Sequence, residues 1–128
     1  MKADTMKSMV NVSIKRIYDE PSPQDGYRIL VDRLWPRGVS KERASLDLWM
    51  KTIAPSPELR RWFGHDPERF DEFAEQYRRE LDANTEAVDE LERVCSEHDA
   101  VTLLYAAKDP IVNHAAVLRE YLENDLPR

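Results

Sequence analysis

Apolar and polar side chains alternate at the start of the patterned chain, with Val10, Val12 and Ile14 set against Asn11, Ser13 and Lys15. A period of two predicts a half-buried strand. Asp19–Gly26 (DEPSPQDG) holds two prolines and a glycine and predicts a turn, within which Ser22 is placed to cap a single helical turn. Tyr27–Trp35 (YRILVDRLW) has an aliphatic centre that predicts a strand covered on both faces. Pro36 and Gly38 break it, one lacking a donor and the other freeing the backbone.

Helical spacing follows. Leu46, Trp49, Met50 and Ile53 recur at intervals of three and four and predict a helix over Ser45–Ile53. Ser56, with Pro57 behind it, caps a second helix that turns Leu59, Trp62 and Phe63 inward. Asp66-Pro67 opens a third, with the stripe Phe70, Phe73, Ala74, Tyr77 and Leu81. A fourth over Thr85–Ser96 buries Ala87, Val88, Leu91, Val94 and Cys95. Val101–Ala107 (VTLLYAA) is a continuous apolar run and predicts a central strand. Asp109-Pro110 opens the last helix, with Asp109 as its N-cap and Ile111, His114, Ala115, Leu118, Tyr121 and Leu122 as its stripe. The order predicts a leader over 1–9 and, over 10–126, one small three-layer α/β domain: a short, mostly parallel sheet flanked by about five helices. The direction of the first strand stays open, because its connection to the second is short for a crossover.

A length of 128 residues suits one domain, and a net charge of −6 argues against a general polyanion binder. That charge is uneven. Residues 26–62 carry eight basic and four acidic side chains, whereas 63–100 carry four basic and thirteen acidic. A dipolar molecule can hold an anion locally while repelling nucleic acid at large, although the acidic block also reads as the solvated faces of two helices. The single cysteine, Cys95, excludes an internal disulfide and reads as a core residue in a cytoplasmic protein. No stretch is long and apolar enough for a membrane span. Three scattered histidines leave no pattern for a metal site, and no cofactor-binding motif is present. With three glycines in all, an anion grip must come mainly from side chains.

Polar density gathers at two strand ends. In Asp32-Arg33-Leu34-Trp35-Pro36-Arg37-Gly38, Arg33 and Arg37 can grip a phosphate or carboxylate, Trp35 can wall it, and Asp32 can serve as a base. The competing reading is an internal Asp–Arg pair that fixes the loop. In Tyr105-Ala106-Ala107-Lys108-Asp109-Pro110, Lys108 adds a cation and Tyr105 a hydroxyl. His114 reads either as a satisfied core histidine or as a general acid or base. Between two helices, His65 can reach a pocket or simply belong to a capping loop.

The segments VDRLWPRG (Val31–Gly38), WMKTIAPS (Trp49–Ser56), ELRRWFGH (Glu58–His65), FAEQYRREL (Phe73–Leu81) and TLLYAAKD (Thr102–Asp109), with Asn113-His114-Ala115, resemble the YeaO-like family over roughly Val12–Leu122. That bacterial and archaeal family is one of unknown function and implies no substrate. Distant members of its superfamily carry Cys-His-Arg where this chain has Asn113-His114-Ala115. The comparison implies that covalent thiol chemistry is absent here and that both strand ends share one site.

Two functions are expected to compete. The first is an enzyme or enzyme-like domain in which Arg33, Arg37 and Lys108 bind a phosphorylated or nucleotide-like anion, with Asp32 and His114 as acid and base and no cofactor. Trp35, Tyr105 and His65 would line that pocket. The alternative is a regulatory module whose basic 26–62 face meets a protein or nucleic-acid partner. Exposure of Trp35, Trp49 and Trp62 in one patch would favour the second.

Overall fold

Residues 11–125 are described by a computed structural model; Val10, the expected leader 1–9 and residues 126–128 lie outside the described residues. Strands β1 (Asn11–Arg16), β2 (Tyr27–Leu30), β3 (Leu48–Trp49) and β4 (Ala100–Tyr105) form one parallel sheet in the order β1-β4-β2-β3. Helices α1 (Lys41–Ala44), α2 (Pro57–Phe63), α3 (Phe70–Ala83), α4 (Thr85–Ser96) and α5 (His114–Asp125) complete an α/β domain. Among the described residues no helix is long and apolar enough to cross a membrane.

The register explains the short first connection. β4 lies between the first two strands, with Ile14 opposite Leu103 on one side and Ile29 opposite Leu103 on the other. Residues 17–26 therefore pass back over β4, and both neighbours run parallel to it. Ser22 caps the single helical turn Pro23–Asp25 within this connection, as its sequence predicts.

The two sheet faces are covered unequally. Val101, Leu103 and Tyr105 join the larger core with Phe73, Tyr77, Leu91 and Leu118 from the long helices. Leu104 faces the other way, into a smaller core with Ile17, Leu30, Val39 and Ala44. The predicted stripes of α3 and α4 are buried as expected, apart from Phe70, which is partly buried against the same core. Phe63 stacks on Phe73 with ring centroids 4.2 Å apart, which seats α2 on α3. Cys95 is fully buried, and desolvation, with the Glu92 charge adding to it, pushes its thiol up to about 11.

The thin face holds a buried ionic network. The Asp25 carboxylate accepts from Lys15 Nζ at 3.0 Å, from the Ser22 N–H at 2.9 Å and from the Arg28 guanidinium. Arg28 also donates to the carbonyls of Ala44 (2.7 Å) and Ser45 (3.0 Å), and Thr102 Oγ1 donates to the Asp25 carbonyl at 2.7 Å. Burial alone would raise the Asp25 carboxyl. The Ser22 N–H, Lys15 and Arg28 outweigh it and hold the group below its ordinary value.

Several sequence expectations are corrected. Ser45–Ile53 is not a helix: Ser45 takes φ 49°, Leu48–Trp49 forms β3, and only Lys51–Ile53 makes a helical turn. Leu48 and Met50 face the larger core while Trp49 faces the smaller, so this segment follows a period of two. The open edge of β2 decides the matter, because the Arg28 and Leu30 carbonyls accept from the N–H groups of Asp47 and Met50. β2 itself stops at Leu30 rather than Trp35, where the chain turns away to build a loop. Trp62 and Ile111, expected inside, are 37% and 71% exposed. The last helix begins at His114, not after Asp109. Asn113 Oδ1 accepts from the Ala116 N–H at 2.8 Å and acts as its cap, whereas Asp109 closes a tight loop by accepting from the Ile111 and Val112 N–H groups.

Candidate functional site

A cleft of about 790 Å³ opens where the strands end, between the loops after β2 and β4 and helix α2. In parallel α/β sheets this carboxyl edge is where ligands sit. Both loops are fastened across the sheet. Asp32 Oδ2 accepts from the Ala106 N–H at 3.0 Å, Arg16 Nε donates to the Ala107 carbonyl at 2.9 Å, and the Tyr18 hydroxyl donates to the Arg37 carbonyl at 2.9 Å.

The expected site residues Asp32, Arg33, Trp35, Arg37, His65, Lys108 and His114 all line this cleft. Tyr105 does not. It is 2% exposed and packed in the larger core, where burial, with Asp19 adding to it, raises its hydroxyl. Trp35 donates to the Val39 carbonyl and meets Trp49 edge-to-face at 5.2 Å, while Trp62 lies under the Arg69 guanidinium. The three tryptophans therefore form no single exposed patch. Nor is the 26–62 segment a uniform basic face, since Arg28 is buried against Asp25.

Arg33 is a brace. Its guanidinium donates to the carbonyls of Ala54 (3.2 Å) and Pro55 (3.3 Å), tying the β2 loop to the chain that leads into α2. No carboxylate neutralises it among the described residues, so its charge still acts on the cleft. Arg37 and Lys108 are exposed and have no side-chain partner among the described residues. Arg60 and Arg61 on α2 are likewise exposed and unpartnered there, and both line the cleft. Neither is among the site residues expected from sequence. Consecutive arginines on a short helix read as a solvated face until the fold turns that face toward a pocket. Phe63, Phe73, Pro36 and Pro55 supply apolar wall.

His114 and Asp32 meet at the base. His114 Nε2 lies 3.0 Å from the Val31 carbonyl and 3.1 Å from Asp32 Oδ1. One N–H cannot align with both; the aligned bond goes to Val31, which leaves Asp32 Oδ1 buried without an aligned donor. Two acceptors facing Nε2 place the neutral ring's proton there and leave Nδ1 as the basic nitrogen. A ring nitrogen and a carboxylate within hydrogen-bond distance are the components of an acid–base pair.

Asn113 occupies the position where the family resemblance puts a thiol in distant relatives. It is buried, and its amide is spent on the Asp109 carbonyl and the Ala116 N–H. Asp109 also lines the cleft, with its carboxyl held below the usual range by the Val112 and Ile111 N–H groups. A smaller hollow, bounded by Arg78, Glu120, Tyr121 and Asn124, lies away from these residues on α3 and α5.

Residues 11–128 match the family described as the inactive DUF488-N3 subclade. The chain is 44% identical over 115 residues to the uncharacterized protein YeaO of Escherichia coli (strain K12), covering 90% of this chain and 99% of that protein. It is 43% identical over 111 residues to the uncharacterized protein Rv3073c of Mycobacterium tuberculosis (strain ATCC 25618 / H37Rv), covering 87% of this chain and 92% of the relative. No solved structure matches it.

Proposed function

The chain belongs to the inactive DUF488-N3 subclade, the YeaO-like proteins of unknown function, and from the geometry of its strand-end cleft we propose that it is an enzyme-like domain binding a small phosphorylated ligand there. The observation that carries the reading is the set of exposed, unpartnered cations on one concave surface, in a protein whose net charge is −6. Cations without carboxylate partners repel one another, and an anion relieves that repulsion. Arg37 offers a planar fork for phosphate oxygens, and Lys108 offers a mobile point charge. Trp35, Phe63 and Phe73 give the organic part of a ligand an apolar wall.

The chemistry available is proton transfer between His114, Asp32 and the ligand. Asn113 caps α5 and offers no nucleophile, so the proposed chemistry has no covalent thiol step. The interface reading has less support, because the tryptophans are dispersed and Arg28 is internal.

A thermal-shift screen of nucleotides, sugar phosphates and inorganic anions tests the proposal. A phosphorylated ligand is expected to raise the melting temperature of the wild type by mass action on the folded state. Arg37→Ala should lose most of that shift. Its ligand-free stability should stay within about 0.5 kcal/mol of wild type, as for most exposed substitutions. Equal shifts in both proteins would remove Arg37 from the site.

A further inference from the structure

The cations of the cleft stand on two walls built from different parts of the chain. Arg37 follows β2 and Lys108 follows β4, whereas Arg60 and Arg61 belong to α2. We infer that the cleft takes a ligand with at least two phosphate groups, of the pyrophosphate or bisphosphate class, which bridges these walls. This inference rests on the anion-binding reading above and narrows it to a ligand class.

Charge is the first argument. A phosphate group carries about −1.5 to −2 near neutral pH, so a single group leaves part of the cation excess on the lining uncompensated. The carboxylates on the lining reduce the cation excess without cancelling it: Asp32 and Asp109, which accept from backbone N–H groups, stand against Arg33, Arg37, Arg60, Arg61 and Lys108. Among the described residues no carboxylate pairs with Arg37, Lys108, Arg60 or Arg61, which leaves them to an outside anion.

Rigidity is the second argument. The segment that leads into α2 is bound to its surroundings at consecutive residues. The Ile53 carbonyl accepts from the Tyr77 hydroxyl at 2.6 Å, and the Ala54 and Pro55 carbonyls accept from Arg33. The Ser56 N–H and Oγ both donate to the Glu80 carboxylate, at 2.9 and 2.6 Å. Ser56 Oγ then caps α2 by accepting from the Leu59 N–H at 3.1 Å. The opposite wall is held by the Asp32 bond to Ala106 and the Tyr18 bond to Arg37. With the backbone of both walls fixed in advance, a bridging ligand has only the cationic side chains themselves left to order.

Isothermal titration of the full chain with inorganic phosphate and with pyrophosphate tests the bridge, using wild type, Arg37→Ala, Arg61→Ala and, as an outside control, Arg79→Ala on α3. Circular dichroism verifies that each variant is folded. Pyrophosphate is expected to bind at least about tenfold tighter than phosphate, and each cleft variant is expected to weaken it about tenfold, the scale of one lost charge-assisted bond. Arg79→Ala should leave binding unchanged. Phosphate that binds as tightly as pyrophosphate, or pyrophosphate weakened from one wall alone, would overturn the bridge and leave the anion site standing. Failure of both ions to bind would overturn the anion site itself.

Discussion

Asp25→Ala is expected to lower the unfolding free energy by roughly 3–5 kcal/mol, the scale for removing one member of a buried charge pair. The Arg28 side chain is 5% exposed and its guanidinium would keep only the Ala44 and Ser45 carbonyls as partners, the Asp47 carboxylate being held on the Arg28 backbone N–H instead. Lys15, 22% exposed, can turn toward water and adds less. Urea denaturation measures the loss, and a change below about 1 kcal/mol would place the network in the class of solvated surface pairs. The acid limb of stability provides a second readout. The Asp25 carboxyl sits below its ordinary value of 3.8 in the folded state, so its contribution is complete above that value. It is lost as pH falls through the lower, folded value. The variant should lack this part of the acid dependence.

Gly26→Ala is expected to be comparably severe for a different reason. Gly26 adopts φ +67°, a region that costs an L-residue roughly 1–2 kcal/mol. A Cβ there would also lie 2.2 Å from the Ala100 carbonyl oxygen. That neighbour is the start of β4, the central strand, so relief requires backbone movement in the sheet. Overpacking of this kind adds about 1–3 kcal/mol. Gly38, also at positive φ, would meet nothing within 4 Å on gaining a Cβ, and Gly38→Ala should be the milder of the two in the same denaturation series.

The elements that could be read from sequence are those whose apolar period is long and whose ends are marked. Helix α4 matches Thr85–Ser96 because five apolar positions keep one helical face. Ser56 and Ser22 cap as expected, since each stands before a proline at the first helical position. Over Leu46–Ile53 the pattern fits helix and strand alike. The choice falls to β2, whose vacant edge carbonyls are invisible locally. Asp109-Pro110 carries the marks of a helix start, yet Asn113, with its side chain on the Ala116 N–H, closes the first turn four residues later.

The candidate site divides along the same line. Asp32, Arg37, Lys108 and His114 sit in two short segments flanking strand ends, so local reading groups them. Arg33 lines the cleft as its position after β2 suggests, but its bonds to the Ala54 and Pro55 carbonyls are not legible locally, because an arginine's partners are chosen by the tertiary fold. Arg60 and Arg61 come to the cleft only because the aromatic stack of Phe63 on Phe73 sets the seat of α2. Tyr105 follows the alternation of β4 inward and away from the pocket.

The central claim is that the strand-end cleft is where this protein holds an anion. Amide chemical shifts recorded while pyrophosphate is titrated into the isotope-labelled chain test it most directly. The account predicts saturable changes concentrated in Asp32–Gly38, Arg60–His65 and Ala106–His114, which in Arg37→Ala need about tenfold more pyrophosphate. Changes centred on Lys41 and Arg43 or on the hollow at Arg78 and Asn124, with those three segments still, would contradict it.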